Sequence, residues 1–124
     1  MRLIISGTRE ELSAEDRAMV LDVIAPYAAR ASAIGVGDCE RGVDVLVVGV
    51  RWPVAVYSFG ADWQALGKRA GPERNGRMVA WAAEVPGSVL LAFPGPSSRG
   101  TWDCVRQARA AGLSIVIKRV GGGR

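Results

Sequence analysis

The 124-residue chain contains no histidine. That removes Ser-His-Asp and Cys-His nucleophile pairs and the commonest transition-metal ligand. Any chemistry must therefore run on carboxylates, arginine, lysine, hydroxyls and backbone dipoles. Cysteine is scarce: Cys39 and Cys104 lie far apart and form no Cys-x-x-Cys pair. This favours free thiols in a reducing compartment over a disulfide or a zinc site. No apolar run reaches bilayer length, since the densest, Val43 to Val50, is interrupted by Asp44 and followed by Arg51. The opening MRLIIS lacks the apolar region and cleavage site of a secretory signal. A soluble cytoplasmic protein is expected, with no membrane partner, metal or cofactor.

What is present suffices for a core. Hydrophobic residues make up 49% of the chain, enough for one domain over residues 1–120, with the glycine-rich residues 121–124 as a flexible tail. The net charge of +4 suits an anionic partner. The basic residues are scattered, so charge alone does not choose between a small anion and nucleic acid.

Arg2 to Ser6 reads as a buried strand ending in Gly7, Thr8 and Arg9. Ser13 caps a helix with Asp16 three residues on, and Ala14, Ala18, Leu21, Ile24, Ala25 and Ala28 form its buried face, with Glu15, Asp16, Arg17 and Asp22 toward water. Pro26 should kink that helix or end it early. Ser32 to Val36 is a second strand, followed by a loop in which Gly35, Gly37 and Gly42 surround Asp38 and Glu40. Val43 to Val50 favours a strand by propensity, but a parallel crossover to a strand at Pro53 to Ser58 requires Gly42 to Trp52 to be helical. Gly60 to Met78 reads as a long polar connection, with Pro72 in the first turn of the next helix.

Ser88 to Phe93 is the fourth strand. It opens through Pro94 into the small-residue loop Gly95 to Gly100, which Thr101 closes at a helix start. Such a junction offers unpaired amides to an anion, although a Ser or Thr cap on a plain turn explains the same residues. The helix ends at Gly112 and Leu113 to Lys118 supplies a fifth strand. The alternation predicts a three-layer α/β domain with a mostly parallel five-stranded sheet, whose carboxyl edge would gather four glycine-containing loops.

These loops are SGTR at Ser6 to Arg9, GDCERGVD at Gly37 to Asp44, ADW with GKRAGPERNGRM within Ala61 to Met78, and AFPGPSSRGT at Ala92 to Thr101. In order and spacing the chain resembles the SLOG superfamily in its small YspA-type branch, relatives of the Lonely Guy phosphoribohydrolases and of DNA-processing protein A. The resemblance implies a Rossmann-like fold, a nucleotide or nucleotide-derived ligand at the strand edge, and a homodimer. In the Lonely Guy enzymes an Arg-Lys pair and a Glu three residues after the GT threonine are catalytic. Here Arg74 matches the Arg, Asn75 replaces the Lys, and Cys104 takes the Glu position, with Asp103 the nearest carboxylate. The candidate catalytic residues are Arg74 and Asp103. The candidate ligand-binding residues are Gly7, Thr8, Arg9, Gly37, Asp38, Gly42, Asp44, Arg74, Asn75, Gly95, Gly100 and Thr101.

Several residues carry two readings. Arg74 clamps a phosphate or pairs with Asp38 or Glu73; Asp44 bonds a ribose or base, or caps its helix; Thr101 meets a phosphate or caps. Lys68 and Arg69 read best as a solvated face and Asp103 as a dipole-stabilising carboxylate. Trp52, Trp63, Trp81 and Trp102 read as core or dimer contacts, with Trp63 or Trp102 available to stack a base. The leading function is a nucleotide-binding sensor or component of a larger system. The alternatives are phosphoribohydrolase-like cleavage of a nucleoside monophosphate, and single-stranded nucleic acid binding.

Overall fold

The computed structural model describes residues 1–121; all but the first residue of the expected tail lie outside it. Five strands run β1 (Arg2–Gly7), β2 (Ala33–Gly37), β3 (Val56–Phe59), β4 (Val89–Phe93) and β5 (Ser114–Ile117). They form one sheet in the order β3-β2-β1-β4-β5, every neighbouring pair parallel. The helices are α1 (Ala14–Ala28), α2 (Val43–Val48), α3 (Trp63–Leu66), α4 (Ala70–Ala83) and α5 (Arg99–Ala110), with a 3-10 turn at Gly67–Arg69. This is a Rossmann-like three-layer α/β domain. No described helix is long and apolar enough to cross a membrane.

Successive side chains of a strand point to opposite faces, so β1 feeds two cores. Leu3 and Ile5 pack with Val20 and Ile24 of α1 and Val43 and Val47 of α2. Ile4 packs on the other face with Met78 and Ala82 of α4 and Cys104, Val105 and Ala108 of α5. Burying each large aliphatic side chain contributes roughly 1.5–3 kcal/mol, enough to override local preference. That is why the valine-rich Val43–Val48 is helical: its four-residue spacing buries Val43 and Val47 against the sheet.

Several expectations need correction. The buried face of α1 is Asp16, Val20, Ile24 and Ala28, whereas Ala14, Ala18 and Ala25 are exposed. Asp16 faces inward because its Oδ2 accepts from Gly121 N at 2.9 Å, while Ser13 caps its N–H as expected. Gly121, placed in the tail by the sequence reading, is thereby held, next to the buried Val120, whose N–H donates to Pro94 O. Pro26 sits in the last turn of α1, which ends two residues later. The third strand begins at Val56 rather than Pro53, and the connection after it is mostly helical, with Asp62 capping its first turn. Thr101 is not the cap of α5; Ser98 holds that position.

Candidate functional site

β1 lies at the centre of the sheet, with β2 to one side and β4 to the other. The order in which strands are added thus reverses between β1 and β4, and beyond the carboxyl ends of strands such a switch point opens a crevice. A cavity of about 530 Å³ lies there, lined by the turns after β1 and β4, the start of α4, and residues from the β2 and β3 connections.

Its β2 wall is built over Gly37. A Cβ there would fall onto the Arg74 guanidinium and 2.5 Å from Asp44 Oδ2, so only glycine admits both. Both are 6% exposed. Arg74 donates from Nε to Asn75 Oδ1 at 3.0 Å and from Nη1 to Asp38 Oδ1 at 3.1 Å and Phe59 O at 3.4 Å. Its Nη2 bonds no acceptor among the described residues, and Arg74 lines the cavity. Of its two expected ion partners it takes Asp38; Glu73 pairs with Arg77 instead. Asp44 accepts Cys39 N–H on Oδ2 at 3.1 Å, and its carboxyl also meets the Cys39 side chain. Burial pushes the Asp44 carboxyl above its ordinary pKa, opposed by the Cys39 N–H and by Arg74. Asp44 makes no side-chain cap on α2, so the capping reading fails.

The β4 wall is the start of α5. Ser98 stands at the cap position, but its Oγ accepts from Gly95 N at 2.7 Å instead of a helix amide. Arg99 N reaches Ser97 O and Trp102 N reaches Ser98 O. The N–H groups of Gly100 and Thr101 therefore have no acceptor among the described residues. Both residues line the cavity, where the positive end of a 12-residue helix points at any occupant.

Gly7, Thr8, Arg9, Gly37, Asp44, Arg74, Asn75, Gly100, Thr101 and Asp103 all meet at this cavity. Asp38, Gly42 and Gly95 lie outside its lining. Asp38 props Arg74 from behind. Gly42, at φ +77°, packs against Thr8 O, and a Cβ at Gly95 would come 2.8 Å from Thr8 Oγ1, so these two glycines serve loop-to-loop contact. Asp103 Oδ2 accepts from Asn75 at 3.0 Å and Gln107 at 2.9 Å. Cys104, in the Glu position of the resemblance, is fully buried outside the lining, its thiol pushed up to about 12 by burial. The two cysteines are free.

Lys68, read from the sequence as a solvated face, is in the lining, as are Arg99 and Arg106, to which sequence reasoning gave no role. Arg99, Asp103 and Arg106 are four and seven residues apart, on one helix face, and that spacing was legible. Of the four tryptophans only Trp63 lines the cavity, 43% exposed, with the Arg9 guanidinium 4.8 Å over its ring. Trp52 donates to Val47 O, Trp81 packs on Phe59, and Trp102 meets Arg119.

No protein-family model and no solved structure matches the chain. Among curated proteins it is similar to the "Gene 61 protein" of Mycobacterium phage D29, 33% identical over 124 aligned positions that cover 93% of this chain and 94% of that protein.

Proposed function

We propose that this chain, which belongs to the family of the gene 61 protein of Mycobacterium phage D29, binds a nucleotide or nucleotide-derived ligand as a sensor or component of a larger system. The observation that carries the reading is the pair of unbonded amides, Gly100 and Thr101, at the head of α5 inside a cavity lined also by Arg9, Lys68, Arg74, Arg99 and Arg106. Phosphate oxygens are acceptors only, and this wall offers donors and positive charge. Trp63, half-exposed at the mouth, offers a face for a base. The four loops that meet at the cavity are those that resemble the YspA-type branch of the SLOG superfamily, and we include the chain in that branch.

A phosphoribohydrolase activity rests on Asp103, which lines the cavity. It has less in its favour, because Asn75 and Gln107 already occupy Asp103 Oδ2 and Cys104 holds a thiol where the enzymes use a carboxylate. Five of the sixteen basic residues gather at one recess, which suits a small ligand better than a nucleic acid strand. A homodimer fits the same reading through α2, whose Val45 and Val48 are 46% and 55% exposed beside Arg41 and Glu40.

Thermal unfolding with nucleoside mono-, di- and triphosphates, set against the matching nucleosides, tests the binding. At a hundredfold excess over Kd a ligand adds ~2.7 kcal/mol, several degrees in Tm. Nucleotides are expected to raise Tm more than nucleosides do, and Arg74→Ala to lose the response. If no phosphate-bearing compound raises Tm, the reading is wrong.

A further inference from the structure

The turn between β4 and α5 is held from two sides. On the cavity side Asn75 Nδ2 donates to Gly100 O at 3.1 Å. Behind the turn runs a strap, residues 118–121, that follows β5. Lys118 N–H donates to Ala92 O at 2.9 Å and Val120 N–H to Pro94 O at 3.0 Å, so the strap leaves the sheet alongside the turn. The Arg119 guanidinium lies 5.1 Å over the ring of Trp102, near the start of α5. Gly121 N–H donates to Asp16 Oδ2 at 2.9 Å, 105 residues back in the chain, and a Cβ on Gly121 would lie 3.5 Å from Pro96 Cδ. Asp16 and Val120 are each 3% exposed. Both stand outside the cavity lining, as does the rest of the strap, whereas Ser97 to Thr101 of the same turn are in it. Withdrawing a carboxylate from water is costly unless its oxygens are bonded, so an amide that bonds Asp16 is held firmly. The contacts run without a break from Asp16 through Gly121 and Val120 to Pro94. They reach the turn that aims the bare amides of Gly100 and Thr101, and hydrogen bonds weaken steeply when misdirected.

We infer that Asp16 and the strap are positioning elements of the cavity: they fix the turn from behind, set its affinity for a phosphate, and are steadied in return when the cavity fills. The return follows because coupling between two sites is reciprocal. The inference rests on the nucleotide reading above and adds to it residues that tune binding without touching the ligand.

Amide hydrogen exchange and calorimetric titration of the full chain test both directions. In the unaltered chain, the nucleoside mono-, di- or triphosphates that bind are expected to slow exchange at Val120 and Gly121 about five- to tenfold more than at Ser32, whose N–H bonds Met1 O at the amino edge of the sheet. In Asp16→Ala, exchange at Gly95 and Trp102, both bonded within the turn, is expected to rise, while Cys39 on the β2 wall stays as it was. The same variant should bind those nucleotides about five- to tenfold more weakly and leave any binding of the matching nucleosides within about twofold. Asp16→Asn, which keeps an oxygen to accept from Gly121, should restore most of the loss. Exchange at Val120 and Gly121 that ignores the ligand overturns the inference and leaves nucleotide binding intact. So does an Asp16→Ala chain that binds nucleotides as the unaltered chain does, or that loses nucleotides and nucleosides alike. Failure of every nucleotide to bind ends both readings. The exchange comparison on the unaltered chain holds even where the variant folds poorly.

Discussion

On the β2 side of the cavity Asp44 and Arg74 are each 6% exposed and locked over Gly37, whereas on the β4 side the Arg106 side chain is 68% exposed and reaches Asp103 only at 3.9 Å. Charges withdrawn from water act at short range and in fixed directions; charges in water act over a Debye length and fade with salt. Under the proposed reading, one wall would serve discrimination and the other capture. The glycines divide the same way. Gly37 makes room for two side chains that line the cavity, while a Cβ at Gly100 would meet nothing within 4 Å.

The largest effect should come from closing the space on the buried wall. Gly37→Ala drives a Cβ into Arg74 and Asp44. Overpacking of this kind costs about 1–3 kcal/mol, so Tm is expected to fall by roughly 5–10 °C and nucleotide affinity by more than about tenfold. An unchanged melting curve and isotherm would show that the wall is not rigid. On the open wall, Arg99→Gln with Arg106→Gln should weaken nucleotide binding by about three- to tenfold at low salt and flatten its salt dependence. Tm should stay within about 2 °C, since exposed charges contribute little to the fold. Titrations at two ionic strengths check this; a salt slope equal to that of the unaltered chain would remove the contrast.

A smaller effect concerns Asp44 alone. Burial raises its pKa above the ordinary 3.8, so the folded chain holds that proton more readily than the unfolded chain does. Its contribution to stability is therefore full below the ordinary value and is lost as pH rises through the raised one. Asp44→Asn should be more stable than the unaltered chain at pH 7, and the gain should disappear as pH falls toward 4. Urea unfolding at the two pH values measures it, and a loss of stability at pH 7 would mean that the carboxylate is favourably held. Such a gain would mark Asp44 as a residue that weakens the fold in the unbound state.

The smallest effect is a matter of rates. At pH 8 a disulfide reagent should label the half-buried Cys39 slowly, since burial first and Asp44 second raise its pKa. A nucleotide in the cavity, which Cys39 lines, should slow it further. Cys104, buried with a pKa of about 12, should react only on unfolding.

Much of the fold was legible because apolar runs and glycine punctuation report a buried parallel sheet directly. The helical reading of Gly42 to Trp52 came from the crossover requirement and not from its valines, and the helix proves shorter, Val43–Val48. The register of α1 was missed because alanine is nearly silent about burial, so Ala14 and Ala18 were weighed equally with Ile24, while the inward turn of Asp16 depends on Gly121, over a hundred residues away. Much of the candidate site, Gly37, Asp44, Arg74 and Gly100 among it, was legible as loop chemistry. The roles of Gly42 and Gly95 were not, because a glycine that serves a neighbouring loop looks the same in sequence as one that serves a ligand. Nor could the sequence reveal that Ser98 turns its hydroxyl back to Gly95, which leaves the α5 amides bare.

The carboxyl-terminal strap has a practical consequence. Val120 is bonded to Pro94 O and Gly121 to Asp16, and a Cβ at Gly121 would lie 3.5 Å from Pro96 Cδ. The described backbone thus finishes against the loop that leads into α5. A reporter group introduced at residue 121 would therefore sit against Pro96, the neighbour of the cavity-lining Ser97 and Ser98.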